Sequence, residues 1–174
     1  GTPVAKFDKN GKFIKDWGVK GQNNNDTRPN YFNNVHGVAV DPQTLQVFVN
    51  DRGNHRAQVF DKDGTYLRQW KFGDNPSDIH MFKIFSDRYI WAADRGTSKI
   101  LKYDLDGHFL YSWGTWGDFP GGFWGVHDIS VDQEGNVYVS EVDKGGAQTF
   151  KPRAGANPSD LIGERLRVAR QQHG

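Results

Sequence analysis

The sequence predicts an all-β chain of repeated four-stranded units, and three observations predict it. One phrase returns three times: FDKNGKFIKDW at 7–17, FDKDGTYLRQW at 60–70 and YDLDGHFLYSW at 103–113. A second phrase alternates with it, as VHGVAVDPQTLQVFVNDR at 35–52, IHMFKIFSDRYIWAADR at 79–95 and VHDISVDQEGNVYVSE at 126–141. Aromatic residues make up 14% of the chain and Gly numbers 21, which suits short strands joined by tight turns. Two phrases together span roughly 45 residues, the size of a β-propeller blade rather than a sandwich repeat.

Each element follows from its residues. The pairs Asn10-Gly11, Asp63-Gly64 and Asp106-Gly107 favour the positive-φ conformations of hairpin turns, so each first phrase is two antiparallel strands. These hairpins are expected as the outer strands of successive blades. The segments after His36 and His127 are expected as the inner strands. A fourth, degraded copy begins at Phe150 and loses its turn and Trp in FKPRAGANPSD. Residues 1–160 thus form one partial propeller, with repeats near 1–18, 35–71, 76–114 and 126–160. Residues 161–174 form a C-terminal tail, either a short helix or disordered.

Composition narrows the function classes. Lys and Arg total 22 against 21 Asp and Glu, so no strong field draws nucleic acid or an anionic membrane. Cys is absent, which removes disulfides and thiolate metal sites. No apolar run approaches the roughly 20 residues of a membrane span. The chain opens at Gly1 directly into a strand-like run, so its true N-terminus is expected upstream.

The residues able to carry chemistry repeat with the blades. The innermost strand of a propeller blade lines the central channel. His36 and His127 open that strand in two blades separated by one. Imidazoles converging near the axis suit Zn²⁺, which takes nitrogen ligands at about 2.0–2.1 Å; the alternative is a buried hydrogen-bonding role. His80 joins them if IHMFKI aligns with VHGVAV. It faces away if the preceding Pro-Ser-Asp-Ile phrase sets the register, because side chains alternate along a strand. Lying in the blade between, it is expected to add at most an off-axis contact. His55, His108 and His173 are expected in solvent. Asp128 either takes a hard cation such as Ca²⁺ or bonds to a turn. Arg52 and Arg95, each preceded by Asp, either grip an acidic small substrate or form inter-blade ion pairs. Most of the Trp residues repeat with the blades and read as packing, whereas Trp116 and Trp124 are candidates for a pocket wall.

The phrases VNDRGNHR and VFDKDG resemble NHL repeats. NHL propellers usually close with six blades, so this chain supplies about three and a half of them. The remaining blades are expected from missing chain, or else from a second copy. The order VHG…VNDRGNHRAQVF…FWGVHDISVDQEGNVYVSE is similar to the C-terminal half of peptidyl-α-hydroxyglycine α-amidating lyases and their bacterial NHL relatives. In that family three His from alternate blades hold Zn²⁺ on the axis. The resemblance carries over to His36 and His127 as two of these ligands and to Asp128 as a Ca²⁺ ligand. It also carries over to Arg52, sixteen residues after His36, as the active-site Arg. The family's first metal His, catalytic Tyr and second Arg would all fall before Gly1, and its two disulfides have no counterpart. The resemblance implies a small peptide substrate, C–N cleavage to peptide amide and glyoxylate, and a secreted or periplasmic setting. The rival reading is a non-catalytic NHL module that binds protein, peptide or glycan.

Overall fold

A computed structural model describes residues 3–21, 24–73 and 77–157. The expected tail lies outside them. Blade 1 consists of the hairpin β1 (Val4–Phe7) and β2 (Phe13–Trp17). A two-residue strand β3 (Val19–Lys20) then pairs in parallel with β4 (Tyr31–Phe32). Blade 2 is the four-stranded sheet β5 (Val35–Val40), β6 (Val47–Asp51), β7 (Arg56–Phe60) and β8 (Tyr66–Lys71). Blade 3 repeats it as β9 (Ile79–Ile84), β10 (Ile90–Asp94), β11 (Lys99–Tyr103) and β12 (Phe109–Trp113). A second short parallel pair follows, β13 (Thr115–Trp116) with β14 (Gly122–Phe123). Blade 4 has β15 (Val126–Val131), β16 (Val137–Glu141) and β17 (Gly146–Phe150). Among the described residues the sole helical segment is a 3₁₀ turn at Arg52–Asn54.

The repeated Asp of the hairpin phrase makes the turn. Asp8, Asp61 and Asp104 each use one carboxylate oxygen to accept two backbone N–H groups from the turn, at 2.8–2.9 Å. The Gly and the Trp of the phrase serve the neighbouring blade. A Cβ on Gly64 would lie 2.8 Å from the Trp17 ring, and one on Gly107 2.3 Å from the Trp70 ring. Each Trp therefore lies against the turn of the blade that follows it, where positive φ and close approach both require Gly. Gly11, at the start of the arc, has nothing within 4 Å of its Cβ position.

The core lies between blades, as three apolar clusters. Phe32, Val49 and Phe60 pack with Val4 and Trp17 between blades 1 and 2. Phe48, Ala57 and Val59 meet Phe82, Ile90 and Ala92 between blades 2 and 3. Trp91, Ala93 and Ile100 meet Ile129, Val137 and Val139 between blades 3 and 4. The strand registers make Val38, Phe82 and Ile129 equivalent. Phe82 and Ile129 are 1% and 2% exposed, but Val38, facing a blade 1 of two strands, is 56% exposed. At the other end Tyr138, the counterpart of buried Phe48 and Trp91, is 42% exposed. The described residues form a partial propeller with one open face at each end.

Candidate metal centre at the propeller axis

The inner strands share a distortion. In β5, Val35 opposes Asp51 and Gly37 opposes Asn50, so His36 is an extra residue. In β9, Ile79 opposes Asp94 and Met81 opposes Ala93, leaving His80. In β15, Val126 opposes Glu141 and Asp128 opposes Ser140, leaving His127. A β-bulge frees its residue from the ladder and re-aims the side chain. Three bulges at one position in three consecutive blades therefore send three imidazoles to one place. The ring centroids of His36, His80 and His127 are 5.1, 5.4 and 4.8 Å apart, and one nitrogen from each lies within 4.8 Å of the others. His80 thus stands as close to the other two as they do to each other, contrary to the peripheral place expected of it. Strict alternation assigns His80 to the wrong face because a bulged residue does not count in the alternation.

Buried polar groups hold these bulges. The carboxylate ending the second strand of each blade accepts a backbone N–H from the connection leading to the histidine. Asp51 accepts from Asn33 at 2.7 Å, Asp94 from Asp78 at 2.8 Å and Glu141 from Trp124 at 2.6 Å. Blades 2 and 4 add a third-strand glutamine. Gln58 brackets the connection at Asn30 and Tyr31, and Gln148 does the same at Gly121 and Gly122. Asn50, fully buried, donates to the carbonyls of Ile79 and His80, both at 2.9 Å. His36 Nδ1 lies 2.7 Å from the same His80 carbonyl. A carbonyl only accepts, so Nδ1 is the donor in this contact.

His80 is 7% exposed, and neither ring nitrogen makes a hydrogen bond among the described residues. Its Nε2 does lie 3.3 Å from Asp78 Oδ2, an ion-pair distance without hydrogen-bond alignment. Burial, reinforced by the Arg52 cation, pushes the His80 ring down to about 4. It is therefore neutral at pH 7, the form that ligates metal. Two buried nitrogens without hydrogen-bond partners are costly unless something else satisfies them. The cluster is also the sole group of three or more potential ligands among the described residues.

Arg52 lies one contact outward. Its Nε and Nη2 donate to the two oxygens of Asp78, each at 2.8 Å, and the Arg52 cation holds Asp78 below the usual carboxylate range. Arg52 and Asp78 line a polar cleft of about 330 Å³ with Asn34 and His55. Arg95 repeats the inter-blade pairing with Asp143. Asp143 reaches its place across Gly125, where a Cβ would lie 2.3 Å from the carboxylate. Asp128 pairs with Lys83 Nζ at 2.9 Å and belongs to no group of three or more potential ligands among the described residues. His55 is exposed, and His108 is exposed and bonds Asp104 at 2.8 Å. His173 lies outside the described residues. Trp116 and Trp124 stand together in solvent with ring centroids 5.5 Å apart.

Asp78 and Asn50 escaped the sequence reading. The signal for Asp78 was the spacing from each bulged His to the acid ending the next strand: fifteen, fourteen and fourteen residues to Asp51, Asp94 and Glu141. Aligning on those acids puts His80 in register and Asp78 beside it.

Comparison with known proteins agrees with the repeat pattern. Residues 32–60 match the family model of the NHL repeat. Peptidyl-glycine alpha-amidating monooxygenase A of Xenopus laevis is 26% identical over 155 residues, 86% of this chain and 16% of that protein. Peptidylglycine alpha-amidating monooxygenase of Rattus norvegicus is 25% identical over 157 residues, 79% of this chain and 14% of that protein. The chain therefore spans less than a fifth of the curated relatives it matches. Among solved structures, a streptogramin B lyase superposes with TM-score 0.52 at 14% identity, covering 75% of this chain and 44% of that one. The inactive H270A virginiamycin B lyase from Staphylococcus aureus, solved with quinupristin, gives 0.51 at 13%, covering 86% and 48%. At such identity these two share the fold alone. The chain is an arc of an NHL-type β-propeller whose sequence resembles the peptidylglycine α-amidating enzymes.

Proposed function

We propose that this arc belongs to a metal-dependent, lyase-like propeller that cleaves the C–N bond of a peptide ending in α-hydroxyglycine. The observation that carries the reading is the convergence of His36, His80 and His127, with His36 Nδ1 held by the His80 carbonyl and both His80 nitrogens lacking a hydrogen-bond partner among the described residues. These three residues fit Zn²⁺, which favours neutral imidazole. When bound, Zn²⁺ would supply Lewis acidity and a template for the substrate. The likeness to amidating enzymes over most of the chain supports the substrate class.

The chain's own residues have definite tasks in this scheme. Asn50 fixes the His80 carbonyl, which orients His36. Asp78 steadies Arg52, whose Nη1 makes no hydrogen bond among the described residues. That nitrogen is the donor for the substrate carboxylate in the polar cleft. In the overall reaction the hydroxyl proton leaves, the C–N bond breaks, and the nitrogen takes up a proton. The products are a peptide amide and glyoxylate. Asp128 pairs with Lys83, and a Ca²⁺ role for it rests on the family resemblance alone.

Elemental analysis of the full-length protein, with a glyoxylate assay on a peptidyl-α-hydroxyglycine, tests the reading. Alanine at His36, His80 or His127 should each lower Zn²⁺ affinity by at least the roughly 10–100-fold seen when a ligand's supporting partner is lost. Full metal retention in all three variants refutes the centre. Metal-free protein without turnover leaves the rival reading, a binding module.

A further inference from the structure

We infer that Trp116 and Trp124 form a subsite for an aromatic or large apolar side chain on the residue preceding the substrate's terminal unit. This rests on the peptide substrate proposed above. Trp116 is 64% exposed and Trp124 41%, with ring planes 55° apart, so together they open a V-shaped notch rather than a flat platform. A notch matches the edge-and-face geometry by which aromatic side chains pair. Trp124 precedes His127 by three residues, so no more than about 11 Å of chain separates it from the candidate metal centre.

The blade repeat does not require these rings. Pairing of β3 with β4 matches that of β13 with β14, which makes Lys20 and Asn33 the counterparts of Trp116 and Trp124. Blade 2 has a complete blade 3 beside it, and Lys20 is still exposed. A following blade therefore leaves the Trp116 position in solvent, while Asn33, at the Trp124 position, is half-buried there, so the Trp116 side of the notch is not simply a surface waiting for blade 5. The connection itself is firmly seated, because Gln148 brackets it and Glu141 holds the Trp124 N–H. Two large exposed rings on a rigid connection near the axis, where the repeat tolerates Lys and Asn, are built for an apolar ligand group.

The repeat also supplies the substitutions. Trp116→Lys and Trp124→Asn install the residues that blade 2 carries, so the fold has a precedent for both. Binding of N-acetyl-Phe-Gly and N-acetyl-Ala-Gly to the full-length protein is measured calorimetrically, with and without added Zn²⁺. The double variant should weaken the Phe probe roughly tenfold, the scale of one aromatic contact with its buried area, and change the Ala probe less than about twofold. Equal weakening of both probes, or no weakening, overturns the subsite. Tryptophan-dependent binding of a methyl glycoside with no preference for the Phe probe does the same and assigns the notch to sugars. Phe-selective, Trp-dependent binding in a protein that cleaves no α-hydroxyglycine keeps the subsite and removes the lyase reading alone.

Discussion

Replacing Val38, Phe82 and Ile129 by Ala measures how much each blade face lacks a neighbour. The three residues occupy one position in three blades, at 56%, 1% and 2% exposure. Ile129→Ala removes three buried carbons, about 2.4 kcal/mol at about 0.8 per carbon, and a cavity term brings it to roughly 3–4 kcal/mol. Phe82→Ala should cost about 3–5 kcal/mol. Val38→Ala removes two carbons that are less than half covered, so the same arithmetic gives about 0.7 kcal/mol. In a protein whose blade 1 is complete, Val38 would be buried, and its loss should rise to about 2 kcal/mol. Urea unfolding of the 174-residue chain, diluted below its self-association, and of a full-ring protein gives both values from midpoints at constant m. If Val38→Ala costs as much as Ile129→Ala in the arc, or stays near 0.7 kcal/mol in the ring, the open-face reasoning is wrong.

Three further outcomes are expected. Gly107→Ala should destabilise by about 1–3 kcal/mol more than Gly11→Ala, because both sites share positive φ but only Gly107 lies against a Trp ring; equal losses in thermal melts would remove Trp70 from the account. Arg88 donates to both oxygens of fully buried Asp41, at 2.9 and 2.8 Å, and holds its carboxyl well below the usual range. Asp41 therefore contributes stability above its unfolded value and loses it as pH falls through the folded one. Arg88→Met should destabilise at pH 7 and progressively less as pH falls toward about 2, and a pH-independent loss would contradict the ion pair. Finally, the isolated 174-residue chain should self-associate through the faces bearing Val38 and Tyr138, and sedimentation as a cooperative, compact monomer would refute this.

The blades were legible because their signals are local and repeated. An Asx turn, a Gly and a Trp at fixed spacing each serve one hairpin and the one beside it. His36 and His127 were legible for the same reason, since each opens a V-H phrase. The convergence of His80 was not, because its blade is reached by a shorter connection and its bulge cancels the alternation used to assign its face. Arg52 was singled out as a charge that either grips a substrate or pairs between blades, and the structure shows the pairing. Its bidentate hold on Asp78 depends on a residue from the next blade, a pairing that spacing within one blade cannot reveal.

The shared bulge position has a consequence for how such molecules diversify. Blades 2, 3 and 4 each contribute one side chain to the axis from a residue that makes no ladder pairing with its neighbour strand. Exchanging that residue leaves the strand registers and the apolar seams between blades untouched. A ring of this design is a combination lock with one dial per blade. Turning a single dial, from imidazole to carboxylate or to an apolar group, rewrites the chemistry on the axis at little cost to folding, which lets one scaffold pass from catalyst to receptor and back.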